Sequence, residues 1–461
     1  MHAKRLAVLG LVLASCAAIA VAQDRRTVTE PVIPSACASI SATKVWSNGA
    51  LPASEESKLD TAAIQQAIDS CPSGQSVRLT RAGQQNALLT GPLVLKSGVT
   101  LVVERGVTLV ASRDPALYDL KGPGTCGTLA QKYTPCKPLI AATKADGSGV
   151  MGEGVIEGRG GSKLLGHDVS WWELADQART QHNHQTCPRL IQTEGTNNFT
   201  LYQITLRNAP NFHVVFNTGI GFTAWGVHID SPLNARNTDG IDPGGATDVT
   251  ITQSWFRSGD DDIAIKAAKG QPSSHITIAH NHFLGGHGVT IGSETEAGVT
   301  AVRVTDLTIE HNELGLTLRS NPLHGGLVQD VVYDDVCIRD THQPIWFSTV
   351  YTDSNTSADK FSDQSNYAHF TNITLRNVRA EGGEQIVMNG IASQLRTDVI
   401  LDGVSLSPAL KQKLAHVHLT LGPGPVDFSP KGEDIVTDGA AGKGKLLPCK
   451  NRWVSWPAAA K

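Results

Sequence analysis

The feature that most constrains this chain is a repeated grammar of short alternating runs, among them GPLVLKSGVTLVVERGVTLVAS, DVTITQSWFRSGDDDIAIKA and VRVTDLTIEHNELGLTLRS. In each, two apolar residues sit two apart, a polar turn follows, and a second apolar pair comes before a Gly or Asn. A period of two marks strands with one buried face. Equivalent starts at Phe199, Phe222, Val249, Ile276, Val302 and Val331 recur every 23 to 29 residues, the length of one coil in a stacked repeat. The uneven spacing excludes a strict short-repeat solenoid, and propeller blades need units of about 40 residues or more. The expected fold is therefore all-β: a right-handed parallel β-helix whose coils pair about 4.8 Å apart, with inward side chains stacked Val on Ile on Leu. Its 45 glycines supply the tight turns between strands.

A solenoid grows by adding coils, so 461 residues do not demand several cores. One segment reads as a helix: in DTAAIQQAIDSC, Ile64, Ala67, Ile68 and Cys71 share a face and Asp60 is placed as N-cap. This short N-terminal helix would cap the open first coil. The tail 425–461, ending GKGKLLPCKNRWVSWPAAAK, has no evident role beyond packing on the last coil.

The start of the chain reads as a signal peptide over 1–22: Lys4 and Arg5, an apolar stretch, then Ala20-Val21-Ala22 before Gln23. LASC before Ala17 resembles a lipobox, but the apolar residues after Cys16 fit the inside of a signal better. Residues 23–461 are then read as a single secreted β-helix catalytic domain, with no later apolar run of the roughly 18 residues that span a membrane. Removing Cys16 leaves seven cysteines, Cys37, Cys71, Cys126, Cys136, Cys187, Cys337 and Cys449. In an oxidising compartment Cys126 with Cys136, and Cys37 with Cys71, are expected to pair; Cys337, inside the apolar VCI, reads as a buried thiol. No C-x-x-C or histidine cluster suggests a metal, and no cofactor is expected. A net charge of -4 without a basic stripe argues against nucleic acid as partner.

The run RSGDDDIAIKA sets Asp260, Asp261 and Asp262 side by side before a core alternation. Like charges repel most where water is scarce, so a strand edge facing a wet groove is the expected setting. Asn237-Thr238-Asp239 lies 21 residues earlier and His287 follows 27 residues later, each close to one coil away. Arg319 and then Tyr351 come in the coils after. An Asp pair alone is more often a solvated turn or calcium loop, a lone His is usually structural, and Asn-Thr-Asp-Gly is a turn by default. Together, one coil apart, they form a column suited to glycoside cleavage, which needs a protonated acid and a base for water. Crowding supplies the proton, since one of several neighbouring carboxyls has its pKa raised.

These residues resemble the polygalacturonases of glycoside hydrolase family 28, especially secreted bacterial members, over most of the chain after 22. NTDGID, GDD followed by IAIK, and GHGVTIGSE carry the resemblance, with SWWELA and PNFHVVF in the family's order. The resemblance implies a parallel β-helix and inverting hydrolysis of α-1,4-linked galacturonic acid in pectin. It implies that Asp260 is the general acid, that Asp239 and Asp261 hold and deprotonate the water, that His287 helps keep the acid protonated, and that Asn237 orders the site. Asp262 stands where relatives carry a small residue and falls outside the machinery. Relatives also show Gly-x-Arg-Ile-Lys, where this chain has Gly315-Leu-Thr-Leu-Arg319. Thr317 thus replaces one substrate-binding cation and Arg319 the other, with Tyr351 beyond them. The loss of a charge-assisted bond costs about 1.5–3 kcal/mol, so hydrolysis with weaker or altered substrate preference is expected. The reading is a monomeric, endo-acting hydrolase. Its alternatives are exo action or action on decorated or esterified pectin, a lyase on the same architecture, and a pectin-binding protein with weakened catalysis.

Overall fold

The computed structural model describes residues 23–268, 270–352 and 366–457. The expected signal peptide over 1–22, with Cys16, lies outside the described residues. Strands dominate, and 30 of those described belong to one sheet paired in parallel from coil to coil, a parallel β-helix as the alternation requires.

The strands stack in three columns. The first carries the six repeat starts: Thr200 pairs with Thr223, one residue beyond Phe199 and Phe222, and Phe222 pairs with Val249, Val249 with Ile276, Ile276 with Val302, and Val302 with Val331. All six side chains are fully buried. Phe199 and Phe222 stack with ring centres 6.3 Å apart. A second column runs through Thr108–Ala111, Val155–Glu157, Thr205–Arg207, His228–Asp230 and Trp255–Arg257. The third runs through Ile191–Glu194, Val214–Asn217, Ile241–Gly244, Ile263–Ile265, Val289–Ile291, Leu314–Arg319 and Gln343–Ser348. Core positions stack from coil to coil, and one apolar cluster extends from Ala42 to Leu419.

The helix Thr61–Ser70 forms as expected and buries Ile64 and Ile68. Asp60 occupies its N-cap position, but its carboxylate does not cap. It accepts instead from Lys44 Nζ at 2.7 Å and from the Leu89 backbone N–H at 2.8 Å, because Lys44, only 4 % exposed, needs a counter-ion more than a solvated helix end needs a cap. A second helix, Trp171–Thr180, was not expected from the alternation. Its signal is Ser170-x-x-Glu173, which closes a reciprocal capping box.

Cys37–Cys71 and Cys126–Cys136 are disulfides, as the spacing suggests. Cys337 is not a thiol but bonds Cys449, 112 residues away, and Cys187 remains free. That third bridge corrects the expectation for the tail. Gly432–Gly439 forms the last strand of the stack, and the segment after it folds back over earlier coils. Arg452 pairs with Asp335 and Asp306, Trp453 receives Arg339 at 4.3 Å, and Trp456 receives Arg257 at 4.8 Å. The tail thus has two parts: Gly432–Gly439 packs on the last coil as expected, and the segment from Cys449 is a strap along the second column.

Candidate active site

The third column delivers the polar residues. Ile241 pairs with Ile263 and Ile263 with Val289. Asp239, Asp261 and His287, each two residues before its member of that register, therefore come above one another. Backbone bonds hold this stack: Gly240 N–H donates to Asp261 O at 2.9 Å, and His287 N–H to Asp260 O at 2.9 Å. Gly288 is required here, since its φ is +68° and a Cβ would lie 2.0 Å from Gly315 O.

Side chains close the cluster. His287 Nδ1 lies 3.1 Å from Asp260 Oδ1 and 4.0 Å from Asp261 Oδ1. Asn237 Nδ2 donates to Asp260 Oδ2 at 3.2 Å. Thr290 Oγ1 donates to Asp261 Oδ1 at 2.8 Å, and Arg319 donates to the other oxygen of Asp261. The Arg319 guanidinium lies 5.0 Å over the ring of Tyr351, which meets Trp346 edge-on at 5.6 Å. The structure thus gathers Asp239, Asp260, Asp261, His287, Asn237, Arg319 and Tyr351. Thr317 pairs with Thr290 on one side and Trp346 on the other; it is shut from solvent, and its Oγ1 has no hydrogen-bond partner.

Asp262 is fully buried and accepts from Ser258 Oγ, the Gly288 N–H and Asn312 Nδ2. Outside the reacting row, it nevertheless anchors the turn that carries His287. A Cβ on Gly286 would lie 2.4 Å from its Oδ1, so that turn closes directly on the carboxyl.

Burial and charge set the protonation pattern. Burial opposes a charged imidazole, but the hydrogen bond and charge of Asp260, with Asp261 behind it, raise His287 to about 9. Burial would raise Asp260, yet the hydrogen bond and charge of His287, then Arg319 and Lys266, hold it below the ordinary carboxylate range. Near neutral pH the free site therefore keeps a proton on His287 and leaves Asp260 ionised. Asp239 goes the other way: burial, then the charges of Asp260 and Asp242, raise it well above the usual value. Asp262, buried as completely, is likewise raised well above the usual value, so burial favours a retained proton on Asp239 and Asp262 and not on Asp260. Burial also raises Asp261, against the charge of Arg319.

Several members are not evident from the three-aspartate run. Asp242, one position beyond Ile241 on the outward face, is buried with neither carboxylate oxygen hydrogen-bonded, and burial pushes it to about 7. Lys266 Nζ is 3.5 Å from Asp242 and 3.8 Å from Glu294, and 5.1 Å over the Phe212 ring. Arg189 covers Phe212 at 5.2 Å. The signal for Lys266 is its polar place in the I-A-I-K alternation, which aims it outward. His213, lowered to about 4 by burial and hence neutral, bridges Asp239 O and Ser231 Oγ at 2.9 Å each. Asp260, Asp261 and His287 also offer ligand-type atoms within 4.8 Å of one another, where a metal would have to displace the imidazolium proton.

The arrangement combines carboxyls whose pKa values are held in opposite directions with the cations Lys266 and Arg319 in one cluster, a setting for acid–base cleavage of an anionic polymer. Comparisons with known proteins agree. Residues 89–420 match the family model described as glycosyl hydrolases family 28. An endo-polygalacturonase of Pectobacterium parmentieri is 39% identical over 415 residues, covering 90% of this chain and 96% of that protein. A polygalacturonase of Ralstonia nicotianae is 34% identical, covering 93% and 92%. The solved polygalacturonase from Erwinia carotovora ssp. carotovora superposes with a TM-score of 0.78 at 38% identity, covering 86% of this chain and all of that one. The chain belongs to family 28 of the glycosyl hydrolases.

Proposed function

We propose that this protein is an endo-acting polygalacturonase that hydrolyses α-1,4-galacturonosidic bonds in pectin with inversion. The observation that carries the reading is the register: Asp239, Asp261 and His287 repeat one position coil after coil, with Asp260 tied to His287. Endo action is supported by the named activity of the relative that is 39% identical.

Asp260 protonates the glycosidic oxygen, and Asp239 and Asp261 flank the attacking water. In the free site the proton rests on His287. A bound galacturonate chain displaces water and adds negative charge, and both effects raise Asp260, which draws the proton across the 3.1 Å contact. Asp261, its carboxylate held by Arg319 and Thr290 Oγ1, takes the proton of the attacking water, and the protonated Asp239 orients that water. The coupled carboxyls titrate as a set, not singly. Arg319, stacked on Tyr351, grips a substrate carboxylate beside the bond to be cut. Thr317 brings no cation, so that subsite tolerates an esterified or decorated unit better than a site with two cations does.

Export is part of the proposal: the A-x-A signal before Gln23 and three disulfides among the described residues fit an oxidising compartment. The protein is proposed to act as a monomer.

Reducing ends released from polygalacturonate, with product sizes followed over time, test the reading. Early oligomers of mixed length support endo hydrolysis; monomer alone from the outset replaces it with exo action. Ultraviolet-absorbing unsaturated products instead assign a lyase. Tight binding without any cleavage assigns a binding protein.

A further inference from the structure

Away from the carboxylate row, on the second column, a cleft of about 750 Å³ opens beside the end of the tail strap. It runs across successive coils: Thr108 pairs with Val155, Val155 with Thr205, Thr205 with His228, and His228 with Trp255. Four steps at about 4.8 Å make it roughly 19 Å long, and it lies perpendicular to the strands, as a linear polymer would.

Its lining has both halves of a uronate site. Arg207 and Arg257 share one carboxylate, Asp230, at 3.3 and 2.6 Å. Arg81 adds a third guanidinium at the far end, where its Nε donates to the Gly83 carbonyl. The other acid of the lining, Glu153, is paired with Arg105. Cations therefore exceed available anions. At the near end the rings of His228, Trp255 and Trp456 come together, with His228 5.2 Å from Trp255 and 6.2 Å from Trp456. The buried Trp255 Nε1–H has no acceptor. Aromatic faces suit the apolar side of a sugar ring, and guanidinium forks suit its carboxylate.

We infer that this cleft is a second polyuronate-binding site, which holds the polymer to the protein while the carboxylate row acts on another stretch of it. The inference rests on the polygalacturonase reading for the identity of the sugar and names a surface that the reaction does not use. A tether of this kind raises the effective concentration of a long chain at the catalytic trough and does nothing for a chain too short to reach both.

The test compares the full protein with Arg81→Ala/Trp456→Ala, which alters both ends of the cleft and no residue of the carboxylate row. Migration through native gels containing polygalacturonate, or an uncharged galactan, reads binding directly. Retardation by polygalacturonate is expected to weaken roughly tenfold in the variant, with no retardation by galactan in either protein. For hydrolysis, kcat/KM on long polygalacturonate is expected to fall while that on trigalacturonate stays unchanged. Equal retardation of the two proteins overturns the inference, as does an equal fall on both substrate lengths. If the unaltered protein hydrolyses nothing, the polygalacturonase reading fails, and gel retardation still decides the cleft. An unchanged melting temperature shows that the variant is folded.

Discussion

His287 Nδ1 sits 3.1 Å from Asp260 Oδ1, and the pair is an imidazolium facing a carboxylate in the free protein. His287, raised to about 9 from about 6.5 in the unfolded chain, contributes stability that is complete below its unfolded value and is lost as pH rises through about 9. Asp260, lowered by the same partner, contributes stability above the ordinary carboxylate range that is lost as pH falls through its depressed value. The melting-temperature gap between the native protein and His287→Gln should therefore be widest between roughly pH 4 and 6.5 and should shrink towards pH 9. A constant gap across that range would separate the imidazole from the carboxylate.

Arg319 is the principal counter-ion of Asp261, and their side chains are 11 and 0 % exposed. Removing one partner of a buried pair leaves the other uncompensated, at about 3–5 kcal/mol. Arg319→Ala is expected to lose about that much stability, while Arg319→Ala/Asp261→Asn loses less than Arg319→Ala alone. Urea unfolding of the three proteins measures both values.

Asp262 holds Gly288 N–H and Asn312 Nδ2. Asp262→Ala orphans both donors, at about 1–3 kcal/mol each. It should lower kcat more than it raises KM, because the turn carrying His287 loses its anchor. If kcat is unchanged in a folded variant, Asp262 has no part in positioning that turn.

Cys337–Cys449 closes a loop of 112 residues, for which the loss of a disulfide costs about 2–5 kcal/mol. Cys449→Ser is expected to lower the denaturation midpoint accordingly and to expose the segment after Cys449 to limited proteolysis. A midpoint equal to that of the native protein would mean that the ion pairs of Arg452 suffice to hold the strap.

Much of this molecule was legible in its residues for one reason: a solenoid converts sequence spacing directly into spatial neighbourhood. The six repeat starts fell into a single column because period-two apolar pairs leave no other way to bury both sides of a coil. The same rule placed Asp239, Asp260, Asp261 and His287 together. What escaped depended on contacts that spacing does not encode. Asp60 yielded its cap to Lys44 because that lysine is buried, a fact set by the fold. Cys337 met Cys449 only because the tail doubles back. Asp242 and Lys266 each look like an ordinary outward residue of a strand until the register sets their strands side by side. Protonation was the hardest part. The crowded triplet suggests a retained proton, and burial together with the charges around it favours protons on Asp239, Asp262 and His287, not on Asp260.

The central claim is that Asp239 and Asp260, 21 residues apart in sequence, serve one reaction in one trough. Its most direct test is the rate of reducing-end release from polygalacturonate by Asp239→Asn, Asp260→Asn and the double variant. Each single change is expected to lower kcat by about 10²–10⁴-fold, and the double variant should be scarcely slower than the worse single one, because groups acting as a unit are not additive. A double variant slowed by the full product of the two losses, or either single variant turning over at the native rate, would contradict the account.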